Sequence, residues 1–181
     1  MGQRELLLVL GALILFGLTM LSTNRYVIDQ NESIIQREFE FYGISLAQSF
    51  IEEAKTKAFD EKVINGAVNV PAQLTQSSQL GPDGGQTHPN FDDVDDYNGL
   101  TLTDSTGRDE FDVSIEVGYI DETDPETIVT IRSYYKRMNV TISNPFLIQP
   151  IVLGFVFSYL PNSIKRGHQS WIHISLLSAA L

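Results

Sequence analysis

The chain has 181 residues, with 23 acidic against 12 basic side chains, a formal net charge of −11 and a pI near 4.5. So few cations to set against phosphates argue against nucleic acid as a partner. Cysteine is absent, so there is neither a disulfide framework nor a thiolate metal site, and a domain built from this chain is held by packing.

The first element is an apolar run over residues 6–21, with the single acid Glu5 at its threshold. The run passes into Leu21-Ser22-Thr23-Asn24-Arg25 without a small-residue cleavage pattern, which predicts a retained anchor rather than a cleaved signal. It is a little short of the roughly 20 residues a full span needs, and tilt or the flanking Thr19, Ser22 and Thr23 make up the difference. Arg4 on one side and Arg25, Asp29 and Glu32 on the other favour the N-terminus inside and the bulk outside. No proline occurs before Pro71, and the helical pattern runs on to Phe59. Ile35, Phe39, Tyr42, Leu46, Phe50, Ala54 and Ala58 recur at steps of three and four on one stripe, while Gln36, Arg37, Glu40, Gln48, Glu52, Lys55 and Lys57 take the other face. A helix over residues 6–59 would be about 80 Å long, more than a small domain can bury.

Residues 63–100 read as a long loop: Pro71, Gly81-Pro82-Asp83-Gly84-Gly85 and Pro89 punctuate a stretch rich in Gln, Ser and Thr. Alternation then predicts three strands. Phe111, Val113, Ile115, Val117 and Tyr119 share one face; Met138, Val140 and Ile142 follow after the turn cluster at residues 121–125; Ile151, Leu153, Phe155, Phe157 and Tyr159 follow after Asn144-Pro145. The predicted fold is α+β, a long N-terminal helix, apolar and then amphipathic, packed on a small antiparallel sheet. Its parts are an apolar membrane or filament-core half (1–24), an amphipathic half of the helix (25–62), the loop with its acidic segment (63–100), the sheet (101–160) and a tail of unassigned role (161–181).

Asp92, Asp93, Asp95 and Asp96, followed by Asn98 and Gly99, are the one acidic constellation. One reading is a solvated acidic turn. The sharper one is a set of oxygen ligands for calcium, pinning the loop to the sheet, although Tyr97 occupies the place of a ligand and the run is not an EF-hand. His88, His168 and His173 lack metal-ligand spacing and read as packing or surface residues. Tyr134-Tyr135 beside Arg132, Lys136 and Arg137 reads as a small basic, aromatic patch at the sheet's edge or against a neighbouring subunit. No nucleophile elbow, phosphate loop or dinucleotide fingerprint occurs, so the expectation is a non-enzymatic protein without a required cofactor.

The layout, with the segments 45–54 (SLAQSFIEEA) and 58–61 (AFDE), the acidic segment 91–100 (FDDVDDYNGL) and the strand 136–142 (KRMNVTI), resembles type IV pilins and pseudopilins. It is most similar to minor pilins of the mannose-sensitive haemagglutinin pilus biogenesis type. The resemblance implies a structural subunit of an extracellular filament, held in the inner membrane before assembly and displayed at the cell surface afterwards. Its implied partners are copies of itself or other pilin-like subunits, the membrane and the pilus assembly machinery. Glu5 stands where that family carries the acid thought to pair with the neighbouring subunit's amino terminus, counted from Met1. Leu6, Leu10, Leu13 and Phe16 would then line the filament core, and Ile35, Phe39, Tyr42, Leu46 and Phe50 the lateral contacts. The chain departs from the family in the polar Gln3-Arg4 and in lacking a proline in the helix's first quarter. The reading from another class is a single-pass anchored envelope protein that scaffolds a secretion complex without polymerising.

Overall fold

The computed structural model describes residues 2–66, 68–105 and 109–161; the tail beyond lies outside the described residues. The expected α+β architecture is present. One unbroken helix, α1 (Gln3–Ala54), opens the chain, and its later part packs on an antiparallel sheet. The chain divides into two compact units, Met1–Phe41 and Tyr42–Leu181.

The first unit is helical. Its apolar residues Leu6, Leu10, Leu13 and Phe16 are each more than half exposed. Among the described residues one stretch, Gln3–Thr23, is long and apolar enough to cross a membrane. Two of its hydroxyls are spent inside the helix, Thr19 donating to the Phe16 carbonyl at 2.8 Å and Thr23 to the Thr19 carbonyl at 2.9 Å. Back-bonding of this kind removes a polar group that hydrocarbon could not satisfy.

The second unit begins with the remainder of α1 and continues through α2 (Glu61–Ile64) and three single 3-10 turns into a five-stranded sheet. The strands are β1 (Thr101–Asp104), β2 (Phe111–Asp121), β3 (Asp124–Val129), β4 (Tyr135–Ser143) and β5 (Ile151–Ser158). Every pairing is antiparallel in the order β1-β2-β4-β5. β1 and β3 both lie on the edge of β2 opposite β4, since Val113 pairs with Leu102 and Ile142, and Tyr119 with Val129 and Lys136. The three alternating runs of the sequence are β2, β4 and β5. β1 and β3 are additional: four residues of mixed polarity and a strand opened by Asp124-Pro125 carry no alternation to detect. Pro125, which has no N–H to donate, sits in an edge strand.

The buried face of the sheet follows the period of two. Val113, Ile115, Val117 and Tyr119 of β2 and Met138, Val140 and Ile142 of β4 meet Ala47, Phe50, Ile51 and Ala54 of α1 in the core. The helix crosses at close range. Tyr42 tilts against Phe111 with ring centroids 4.8 Å apart, Gly43 faces Ile151 and Ile142, and the Lys55 ammonium lies 4.4 Å over the Phe155 ring.

One expectation is corrected. The amphipathic helix ends at Ala54 rather than running to residues 59–62. The Thr56 and Lys57 N–H groups tighten to i−3 acceptors, and Ala58 then leaves the helical pattern to form a parallel bridge with Asp93. The segment 63–100 is a long loop with three 3-10 turns, and its described residues pack as a layer. Val68, Leu74, Phe91, Val94 and Tyr97 are buried, and Phe59, Val68, Leu74 and Tyr119 form a core cluster of their own.

A Cβ on Gly43 would sit 2.7 Å from Ile151 Cδ1, the movable end of a side chain. Gly43→Ala should therefore be close to neutral, the helix-propensity gain of about 1 kcal/mol offsetting the shift of Ile151. Gly43→Leu should lift the helix off the sheet and cost about 1–3 kcal/mol, read as a lower urea midpoint.

Candidate functional site

The acidic segment is buried. Asp93, Asp95 and Asp96 are each no more than 2 % exposed, and of the four aspartates Asp92 alone faces solvent. This overturns the reading as a solvated turn. Backbone bonds hold the segment on both sides. The Ala58 N–H donates to the Asp92 carbonyl at 3.0 Å, and the Val94 N–H to the Ala58 carbonyl at 2.9 Å. Towards the sheet, the Gly99 N–H donates to the Ile115 carbonyl, the Ile115 N–H to the Leu100 carbonyl, and the Val117 N–H to Asn98 Oδ1 at 2.9 Å. The segment thus fills the edge of β2 between β1 and β3. Gly99, at φ +81°, makes the turn onto that edge.

The four aspartates do not converge on one point. Asp96 serves the backbone: its Oδ2 accepts from the Asp92 N–H at 3.1 Å and its Oδ1 from the Asp83 N–H at 3.2 Å. Asp95 turns to Lys136, and Asp93 Oδ1 accepts from the Asp96 N–H at 3.1 Å. Asp93 Oδ2 and Asp95 Oδ2 are buried without a hydrogen-bond partner.

Lys136 is the centre of a second, unforeseen arrangement. It belongs to the buried side of β4, in phase with Met138, and its ammonium is fully buried. It donates to the Phe59 carbonyl at 2.9 Å, to Asp60 Oδ2 at 2.8 Å and to Asp95 Oδ1, and lies 4.4 Å over the Phe59 ring. Asp60 also accepts from the Lys62 N–H at 3.0 Å and the Thr75 hydroxyl at 2.9 Å, with the Tyr119 hydroxyl 3.1 Å away. Burial alone would raise the Asp60 carboxyl, but the Lys136 charge and these bonds carry it below its ordinary value. For Asp95 burial wins and pushes the carboxyl up to about 8, with Lys136 offsetting part of the effect. Burial and then the Asp96 charge push Asp93 up to about 7. Two carboxyl groups thus share one ammonium, with Asp60 held below its ordinary value and Asp95 held well above it.

The basic, aromatic patch does not exist as a surface. Lys136 is in the core, and Arg137 is buried on the opposite face, paired with Glu126 at 2.8 Å and donating to the Pro125 carbonyl at 2.8 Å. Tyr134 donates to the Asn69 carbonyl at 2.6 Å. His88 packs as expected: its Nε2 lies 3.1 Å from Glu53 Oε2, and its ring meets Phe50, Phe91 and Tyr97.

The expected assembly residues divide. Leu6, Leu10, Leu13, Phe16 and Ile35 are exposed, whereas Phe39 is half-buried. Tyr42 donates to Asp104 Oδ2 at 3.0 Å, Leu46 is half-buried and Phe50 is buried in the chain's own core. Phe50 is therefore a packing residue, not a lateral contact. The later part of the stripe read from the sequence, Phe50 and Ala54, is buried in the second unit's core. Phe41, outside that stripe, is instead 75 % exposed. Glu5 sits in the first turn of α1, its Oε2 accepting the Gly2 N–H at 3.1 Å.

Comparison with protein-family models, with curated proteins and with solved structures returns no match.

Lys136→Met leaves two buried carboxyl groups without their cation and should cost about 3–5 kcal/mol in urea unfolding at pH 7. The deficit should shrink towards pH 4, where Asp60, no longer held down by the ammonium, takes up a proton. The parent chain has its own pH signature. Asp93 and Asp95 hold protons to about 7 and about 8 when folded, against 3.8 ordinarily, so the folded state binds more protons between those values. Stability therefore falls as pH rises through that window. Asp60 acts in the opposite sense: its contribution is present above 3.8 and is lost as pH falls through its lowered value. In chelator, the urea midpoint should be lower at pH 8 than at pH 5.

Proposed function

We propose that the chain is a structural, non-enzymatic subunit of a type IV pilus-like filament, held in a membrane by its N-terminal helix before it polymerises. The observation that carries this reading is the continuity of α1. A 21-residue membrane-capable stretch with none of its residues buried runs without a break into the segment packed on the sheet. An apolar helix so exposed requires hydrocarbon or other helices around it.

In the proposed mechanism, Leu6, Leu10, Leu13 and Phe16 exchange lipid for the same residues of neighbouring subunits, so apolar burial is conserved during extraction. Glu5 supplies direction. A carboxylate entering an apolar environment is costly until it meets a cation, so it selects the register that brings a neighbour's amino group to it. The partners are copies of this chain or similar subunits, together with assembly machinery, and the final location is the cell surface. Ile35 stays a candidate for lateral contact and Phe41 takes the place of Phe50, because both side chains are exposed.

The test is Glu5→Ala, scored in sheared surface material and in the membrane fraction of the same cells. The expected result is retention in the membrane with a roughly tenfold or greater loss of sheared protein, since each ~1.4 kcal/mol of lost pairing is a factor of ten. Parent chain confined to the membrane fraction would overturn the filament reading in favour of an anchored envelope scaffold.

A further inference from the structure

Three carboxylates from separate stretches of chain meet at the helix exit. Glu61 opens α2, Asp83 lies in the Gly-Pro turn and Asp93 in the acidic segment, and one ligand oxygen of each lies within 4.8 Å of the other two. Such a cluster alone would be unremarkable on an acidic surface. Asp93 makes it different. Its side chain is 1 % exposed, its Oδ1 is engaged by the Asp96 N–H, and its Oδ2 has no hydrogen-bond partner. A buried carboxylate oxygen left unpaired is expensive, and native structures satisfy such atoms with a donor, water or an ion.

We propose that Glu61, Asp83 and Asp93 form a calcium site that clamps the 63–100 layer to the end of the long helix. This goes beyond the filament reading and does not depend on it. The donor set is all oxygen, the chemistry of hard cations, without the nitrogen or sulfur that zinc prefers. Coordination chemistry favours calcium over magnesium: calcium accepts six to eight oxygens in flexible geometry, as three carboxylates from separate stretches of chain would offer, whereas magnesium demands a near-ideal octahedron and keeps several of its waters. The exposure gradient suits a partly hydrated ion, with Asp93 buried, Glu61 half-buried and Asp83 open to solvent, leaving room for waters to complete six to eight ligands. Asp93 is also the residue that bridges to Ala58, so an ion here ties both ends of the packed layer to one point. In a chain without cysteine this supplies a cross-link of another kind.

The experiment uses the full chain purified in detergent, stripped with chelator and melted with added calcium or magnesium chloride. Calcium at about 100-fold over its Kd should raise Tm by roughly 5–10 °C, and magnesium at the same concentration by much less. Asp83→Asn and Glu61→Gln, both outside the buried core, should melt in chelator like the parent or slightly higher, and should lose most of the calcium shift. Absence of a calcium shift in the parent, an equal shift with magnesium, or full retention of the shift in both variants would overturn the proposal.

Discussion

The second unit is organised around one buried ammonium. Lys136 comes from a central strand, yet its three hydrogen bonds go to the Phe59 carbonyl, Asp60 and Asp95, all outside the sheet. Placing a charge there is costly, and the cost is met only if every donor finds an acceptor. The path of the chain after α1 follows from that requirement. The helix stops at Ala54, the chain turns so that Phe59 and Asp60 reach the ammonium, and the acidic segment lies along β2 so that Asp95 arrives from the other side. A methionine at the same place would leave that path with no polar point to aim at.

The acids of this region consequently have different tasks despite their similar appearance in sequence. Asp60 and Asp95 flank the ammonium, Asp60 with its carboxyl lowered and Asp95 with its carboxyl raised, and Asp96 caps backbone N–H groups of its own segment and of the Gly-Pro turn. Asp92 is solvated. Asp93 is left half-satisfied, which is why the triangle with Glu61 and Asp83 stands out from an otherwise acidic chain. In the membrane-capable stretch, by contrast, the Thr19 and Thr23 hydroxyls are absorbed by their own helix backbone.

Much of the fold was legible because it is written in short periods. The apolar run, the proline-free helix and three alternating strands each announce themselves within a dozen residues, and each is present. What was missed depends on partners distant in sequence. The helix stripe was correct as a stripe, but Phe50 and Ala54 face the chain's own sheet, and periodicity cannot say which surface an apolar face will meet. The acidic run stands out in the sequence, but nothing local distinguishes a buried aspartate from a solvated one. One signal was available and unused: Lys136 shares the parity of Met138, Val140 and Ile142, so alternation alone puts a lysine on the buried face of β4. Such a lysine demands a buried acid. Glu61 and Asp83 had no signal, since only the folded path brings them to Asp93.

The reach of the Lys136 cluster bears on the order of folding. Its bonds span 77, 76 and 41 positions along the chain, the first two longer than the 65 that separate Tyr134 from Asn69. Closing loops of that length is entropically expensive, so these contacts form after the local β2–β3 hairpin and the β2–β4 pairing have fixed where Lys136 lies. Until β4 docks, Asp60 and Asp95 remain hydrated and ionised, and the stretch between them stays strongly anionic. An unfinished chain with a greasy helix at one end thereby carries its own solubilising segment, neutralised only when the lysine that completes the core arrives.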